Sequence, residues 1–147
     1  MTKRQWMMVS MLVLSVAWVP LLLIPAPKKA DPKTLLAELP PPYKTGDLAH
    51  GEQVFRACVS CHTTGETGQN LNGPNLYHVL GRKAGTKPKF NYSKAMKAAG
   101  FTWTPERVDA FVADPQAVVP GTAMTIRGIT DPKDRIDLIA YLKVSSS

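Results

Sequence analysis

Two cysteines with two residues between them, followed at once by a histidine, constrain this chain more than any other feature: Cys58-Val59-Ser60-Cys61-His62. Each thiol can add across one vinyl group of a haem and form a thioether. The short spacing presents both sulfurs to one edge of the porphyrin. His62 then lies under the iron and can donate an imidazole nitrogen as proximal ligand. Two other uses of such a motif fit less well. A redox-active Cys-x-x-Cys pair needs no histidine after it. A structural zinc site needs four ligands, and the chain has no second cysteine pair. His50 and His78 make a poor completing set. The motif therefore predicts one haem c, attached through Cys58 and Cys61.

At 147 residues the chain suits one domain of about 100 residues plus an appendage. Both cysteines fall inside the motif, so none is left for a disulfide. A small domain buries a small fraction of its surface, and a covalently held haem would add apolar core area. The formal charge is +7, which suits an acidic partner or an anionic membrane surface. No basic run interleaved with aromatics and no nucleic-acid motif appears, so nucleic acid is not an expected partner.

The appendage comes first. Lys3 and Arg4 precede an uncharged apolar stretch over residues 6–24. Nineteen helical residues span roughly 28 Å, near the thickness of a bilayer core. Residues 1–24 are therefore expected to be a transmembrane anchor. The rival is a cleaved signal peptide, with Ser15-Val16-Ala17 as the cleavage site. Six apolar residues and a proline follow that site, and cutting there would leave an exposed greasy end. Residues 25–46 hold Pro25, Pro27, Pro32 and Pro40-Pro41-Pro42 and read as an extended, semi-rigid linker. Within it, Asp31 and Pro32 can open a short helix to Leu39. The other reading of this stretch is that it packs on the domain.

Residues 47–147 form the expected domain. Asp47 caps a helix through about Ala57, with Gly51 inside it, where a close helix crossing would explain the glycine. Residues 63–75 read as loop, and Asn75 as the cap of a short helix through Leu80. Ser93 caps a helix over residues 94–99 that Gly100 stops. Thr104-Pro105 opens another that Asp114-Pro115 closes, and Asp131-Pro132 starts a last helix to about Lys143. No strand pattern appears, so the fold class is all-α.

From Asp47 to Lys143 the sequence resembles the class I cytochromes c, in particular the mitochondrial-like branch and its membrane-anchored bacterial members. The residues that carry the resemblance are Gly51, Phe55, Cys58, Cys61, His62, Gly73-Pro74-Asn75-Leu76, Gly81-Arg82, Tyr92-Ser93, Trp103, Pro120-Gly121-Thr122-Ala123-Met124 and the closing 138–143 segment. The resemblance implies a class I cytochrome c fold around one covalent haem. It implies that Met124 is the distal ligand opposite His62, so that the metal site is His62 and Met124. A soft thioether favours ferrous iron, and two closed axial positions suit electron transfer. Met96, the other methionine of the domain, sits in an expected helix. The resemblance also implies that the Pro74 carbonyl accepts from the second nitrogen of His62. Arg82, Tyr92, Trp103 and Thr122 would bond the haem propionates. Gly51 and Phe55 would pack against Leu138 and Tyr141. His50 and His78 read as solvent-facing.

Two departures from the family stand out. Phe111 occupies the place of a tyrosine whose hydroxyl often approaches the methionine ligand. Ala57, Gln116, Ala117 and Ala123 occupy places where lysines often ring the haem edge. The family implies a carrier of single electrons, not an enzyme, that binds no small-molecule substrate. The expected donor is a quinol–cytochrome c reductase and the expected acceptor a cytochrome c oxidase or another terminal oxidase. Haem attachment of this type occurs outside the bacterial inner membrane, which places the domain in the periplasm. A fixed electron-entry subunit of a larger membrane enzyme is the alternative. An open-site haem enzyme or gas sensor is a more distant one, since the Pro-Gly-x-x-Met turn is intact.

Overall fold

A computed structural model describes residues 30–147. The expected membrane helix over residues 1–24 lies outside the described residues. Among the described residues no helix is long and apolar enough to cross a membrane.

The helices are α1 (Pro32–Ala37), α2 (Leu48–Phe55), α3 (Lys94–Ala98), α4 (Pro105–Ala113), α5 (Pro115–Val118) and α6 (Pro132–Ser145), with a 3₁₀ turn at Tyr43–Thr45. Their starts are set by side-chain caps. Asp31, Asp47, Ser93, Thr104, Asp114 and Asp131 each accept from an orphan amide of the first turn. Asp114 is extended and both ends α4 and opens α5. Among the described residues the β content is one isolated antiparallel bridge, Lys83 to Thr102.

The organising contact is the crossing of α2 and α6. A Cβ at Gly51 would lie 2.1 Å from the Asp137 carbonyl oxygen and 2.8 Å from the Tyr141 Cβ. Only glycine permits that approach, so the helix propensity lost at position 51 is the condition of the crossing. One turn on, the Phe55 and Tyr141 rings pack with centroids 5.4 Å apart. Asp137 is 2% exposed at this crossing, where it accepts from the Asp47 amide at 2.9 Å, from His50 Nδ1 at 2.7 Å and from Lys133 Nζ. His50, expected to face solvent, is instead half-buried on this carboxylate.

Two apolar clusters form the core. The first joins Leu39, Tyr43, Phe55, Val108, Val112, Leu138, Ile139 and Leu142. The second joins Ala84, Met96, Phe111 and Val119. Trp103 packs against both.

The expected linker over residues 25–46 is corrected for residues 32–45, which dock on the domain. Leu35, Leu39 and Tyr43, spaced by four, are buried. Tyr43 donates to Asp109 at 2.9 Å, and Lys143 Nζ pairs with Glu38 at 2.6 Å. The physical reason lies in the prolines themselves. Proline has little backbone freedom to lose on docking, so three buried side chains suffice to hold the strap.

The expected helix from Asn75 to Leu80 is absent. Arg82 Nη1 and Nη2 take the carbonyls of Tyr77 (2.9 Å) and Asn75 (3.1 Å), which a helix would give to its own amides. One turn remains, closed from the Val79 amide to Leu76 at 2.8 Å.

Candidate haem site

The Cys58-to-His62 segment continues from α2 as tight turns. The amides of Cys61 and His62 both donate to the Cys58 carbonyl, at 3.0 and 2.9 Å. This single turn carries two free, half-buried thiols. Burial raises the Cys58 thiol above its usual pKa, and the neighbouring Cys61 adds to the rise.

His62 is fixed from two sides. Its Nδ1 lies 2.7 Å from the Pro74 carbonyl oxygen. A carbonyl only accepts, so Nδ1 carries the proton and Nε2 keeps a free lone pair. Burial lowers the pKa of the ring, opposed by the bond to Pro74, and a neutral imidazole is the form that ligates a metal. Gly73 lies against the ring. A Cβ there would be 2.3 Å from His62 Cε1.

Asn75 holds this arrangement together and is 0% exposed. Its Nδ2 donates to Thr63 Oγ1 at 2.7 Å and to the Gly65 carbonyl at 2.9 Å, while its own amide donates to Asn70 Oδ1 at 2.8 Å. The Gly73 amide donates to the Cys61 carbonyl at 2.8 Å. The loop that presents Pro74 is thereby tied to the residues flanking His62. The Gly-Pro-Asn-Leu string announced the Pro74 role, but the part played by Asn75 shows only in the folded loop.

Met124 is half-buried and packs against the second cluster, whereas Cys58 packs against the first. Phe111, in the place of the family's tyrosine, belongs to that second cluster, and its ring packs edge-on to Trp103 at 4.9 Å. Thr122 is buried, and its Oγ1 accepts from the Met124 amide at 3.3 Å.

The other expected haem contacts are partly engaged. Arg82 gives two N–H groups to carbonyls and keeps others, since a guanidinium carries five. Burial lowers its pKa, opposed by Tyr92. The Tyr92 hydroxyl accepts from the Lys87 amide at 3.3 Å and retains its own proton. Burial raises the Tyr92 pKa, so it stays a donor. The indole N–H of Trp103 makes no hydrogen bond among the described residues.

These residues fit a covalently attached haem. Two thiols sit on one turn beside a histidine whose Nε2 is left free. Half-buried apolar side chains (Leu76, Leu80, Trp103 and Met124) line the clusters on either side. Fold and site together define a c-type haem protein built on an N- and C-terminal helix crossing.

Comparison with known proteins agrees. The family model for cytochrome c matches residues 48–146. The chain is 48% identical over 100 residues to cytochrome c2 of Rhodomicrobium vannielii, covering 68% of this chain and 80% of that protein. It is 44% identical over 105 residues to cytochrome c2 of Agrobacterium tumefaciens, covering 69% and 95%. Among solved structures, cytochrome cH from Methylobacterium extorquens matches with a TM-score of 0.61 and 43% identity, covering 67% of this chain and 98% of that one. The chain belongs to the cytochrome c family. It is a monohaem electron carrier whose one haem c is bound through Cys58 and Cys61.

Proposed function

We propose that this carrier works from a membrane anchor, moving single electrons from a quinol–cytochrome c reductase to a terminal oxidase on the periplasmic side of a bacterial inner membrane. On this reading it stands with the membrane-anchored cytochromes c of the mitochondrial-like branch. The haem supplies reversible one-electron chemistry of iron. His62 would hold the metal through Nε2, and Met124 would hold it through its thioether sulfur. Pro74 orients His62 and keeps its ligating nitrogen bare. Arg82, Tyr92, Trp103 and Thr122 offer donors to the propionates, whose burial without partners would be costly.

The observation that carries this reading is the His62 to Pro74 contact at 2.7 Å. It commits one nitrogen of the ring and frees the other. The anchor rests on residues 6–24, which are uncharged and apolar. The exposed residues Ala57, Gln116, Ala117 and Ala123, in the places where the family often carries lysines, and Val59 between the two cysteines carry no charge. An anchored protein needs little electrostatic steering, because tethering raises local concentration without new contacts.

One observation favours the second reading, a fixed subunit of a larger membrane enzyme. With residues 32–45 docked, six residues (25–30) separate the expected anchor from the Asp31 cap. Fully extended they reach at most about 20 Å, which keeps the domain close to the bilayer.

The test is reconstitution in membranes that lack other c-type cytochromes. The full chain is expected to restore quinol-dependent oxygen uptake, and a chain lacking residues 1–24 at equal dilution is expected to restore far less. Equal rates from both would contradict the anchored carrier. Co-purification with one oxidoreductase at fixed ratio in mild detergent would favour the subunit.

A further inference from the structure

Gln116 sits at the start of α5, where Asp114 Oδ1 accepts from the amides of both Gln116 and Ala117 at 3.1 Å. The backbone of Gln116 is therefore held in place. Its side chain reaches across to the turn that carries Met124. The Gly121 amide donates to Gln116 Oε1 at 3.0 Å. Gln116 Nε2 donates to the Thr122 carbonyl at 3.0 Å. One amide orientation satisfies both bonds, and the flipped one satisfies neither.

The turn has few other restraints. Gly121 is at φ +85°, the Thr122 amide donates to Val119 at 2.9 Å, and the Met124 amide donates to Thr122 Oγ1 at 3.3 Å. Beyond Met124, residues 125–128 make no backbone hydrogen bond among the described residues. They line an open cavity of about 470 Å³ together with Gln116 and Met124. After Met124 the next backbone hydrogen bond is from the Ile129 amide to Val112 at 2.9 Å, so the turn that presents the methionine is pinned closely on its N-terminal side, and half of those pins come from one side chain.

We propose that Gln116 is a positioning residue for the Met124 ligand, acting as a two-point clamp on Gly121 and Thr122. The clamp holds the turn closed and keeps exogenous ligands from the iron. A chain is tied from Asp114 through Gln116 and Thr122 to Met124. Lysine, which the family often carries at this place, donates but cannot accept, so it cannot make this clamp. The inference rests on Met124 being the distal ligand.

The experiment uses the full chain with haem attached, as Gln116→Ala, Gln116→Lys and Met124→Ala beside the parent. Two quantities are read: the affinity of the ferric protein for imidazole, and the hydrogen-exchange rate of the Gly121 amide. Losing both hydrogen bonds is expected to raise the open fraction of the turn about tenfold in Gln116→Ala, and by up to that factor in Gln116→Lys, which loses the acceptor for Gly121. Imidazole then binds more tightly and Gly121 exchanges faster by similar factors, with the melting temperature little changed. If Met124→Ala opens the iron to imidazole while both Gln116 variants match the parent in binding and exchange, the clamp is overturned and Met124 ligation stands. If Met124→Ala binds imidazole no better than the parent, the ligand assignment fails and the clamp's purpose fails with it.

Discussion

His62 Nδ1 stands 2.7 Å from the Pro74 carbonyl oxygen, and the neighbouring Gly73 leaves no room for a Cβ behind the same ring. Orientation and free lone pair are thus fixed by two consecutive residues. Gly73→Ala would place a methyl 2.3 Å from His62 Cε1. The ring must swing, and overpacking of this kind costs about 1–3 kcal/mol. The expected outcome is a less stable holoprotein whose reduced spectrum becomes sensitive to carbon monoxide. An unchanged spectrum would show that the ring is not under this constraint.

The strap over residues 32–45 is part of the folded unit. Leu35→Ala is expected to lower the unfolding free energy by about 2–3 kcal/mol. Tyr43→Phe, which removes the donor to Asp109, should cost about 1 kcal/mol. Denaturant titration of the holoprotein reads both. A free tether would leave the midpoint where it was.

Much of this architecture was legible in the sequence, and the reason is local. Caps at Asp47, Ser93, Thr104 and Asp131 act within one turn, so their signals sit beside the helices they start. The Cys58-to-His62 motif is equally local. Gly51 was legible because a mid-helix glycine asks for a close neighbour. What escaped depends on distant partners. The docking of Leu35 and Tyr43 was masked by prolines that also suit an extended chain. The helix expected at Asn75 lost its carbonyls to Arg82. Asp137 gives no sign in sequence that it is buried, because its partners Asp47 and His50 lie 90 and 87 residues away. The Gln116 clamp is equally silent, since it depends on where Gly121 turns.

Asp137 contributes to the acid limb of stability. Burial alone would raise its pKa, but hydrogen bonds from Lys133, the Asp47 amide and His50 outweigh that and hold it below 3.8. Asp134 also faces His50, at 3.6 Å. A depressed carboxylate stabilises the fold above its unfolded pKa of 3.8, and that contribution is lost as pH falls through the lower folded value. Stability should therefore drop below pH 3.8, and Asp137→Asn should flatten that drop while costing about 2–4 kcal/mol at neutral pH. Thermal melts from pH 2 to pH 7 check this, and an identical acid limb in the variant would contradict it.

The uncharged residues at positions 57, 116, 117 and 123 predict weak salt dependence. Val59, 52% exposed between the two cysteines, and the alanines at 57, 117 and 123 offer nothing for ions to screen. Oxidation of the reduced protein by the proposed terminal oxidase is expected to change less than threefold between about 20 and 200 mM salt, against the steep fall of a steered encounter. A tenfold loss would point instead to docking through the lysines of residues 83–97.

The most direct test of the account is the reduced spectrum of washed membranes carrying the full chain, taken with and without carbon monoxide. A sharp c-type band in the membrane fraction, unmoved by carbon monoxide, is the predicted result. It would support anchor, haem and closed Met124 ligation together. A band that shifts with carbon monoxide would mean an open iron and contradict the carrier mechanism. A band confined to the soluble fraction would contradict the anchor.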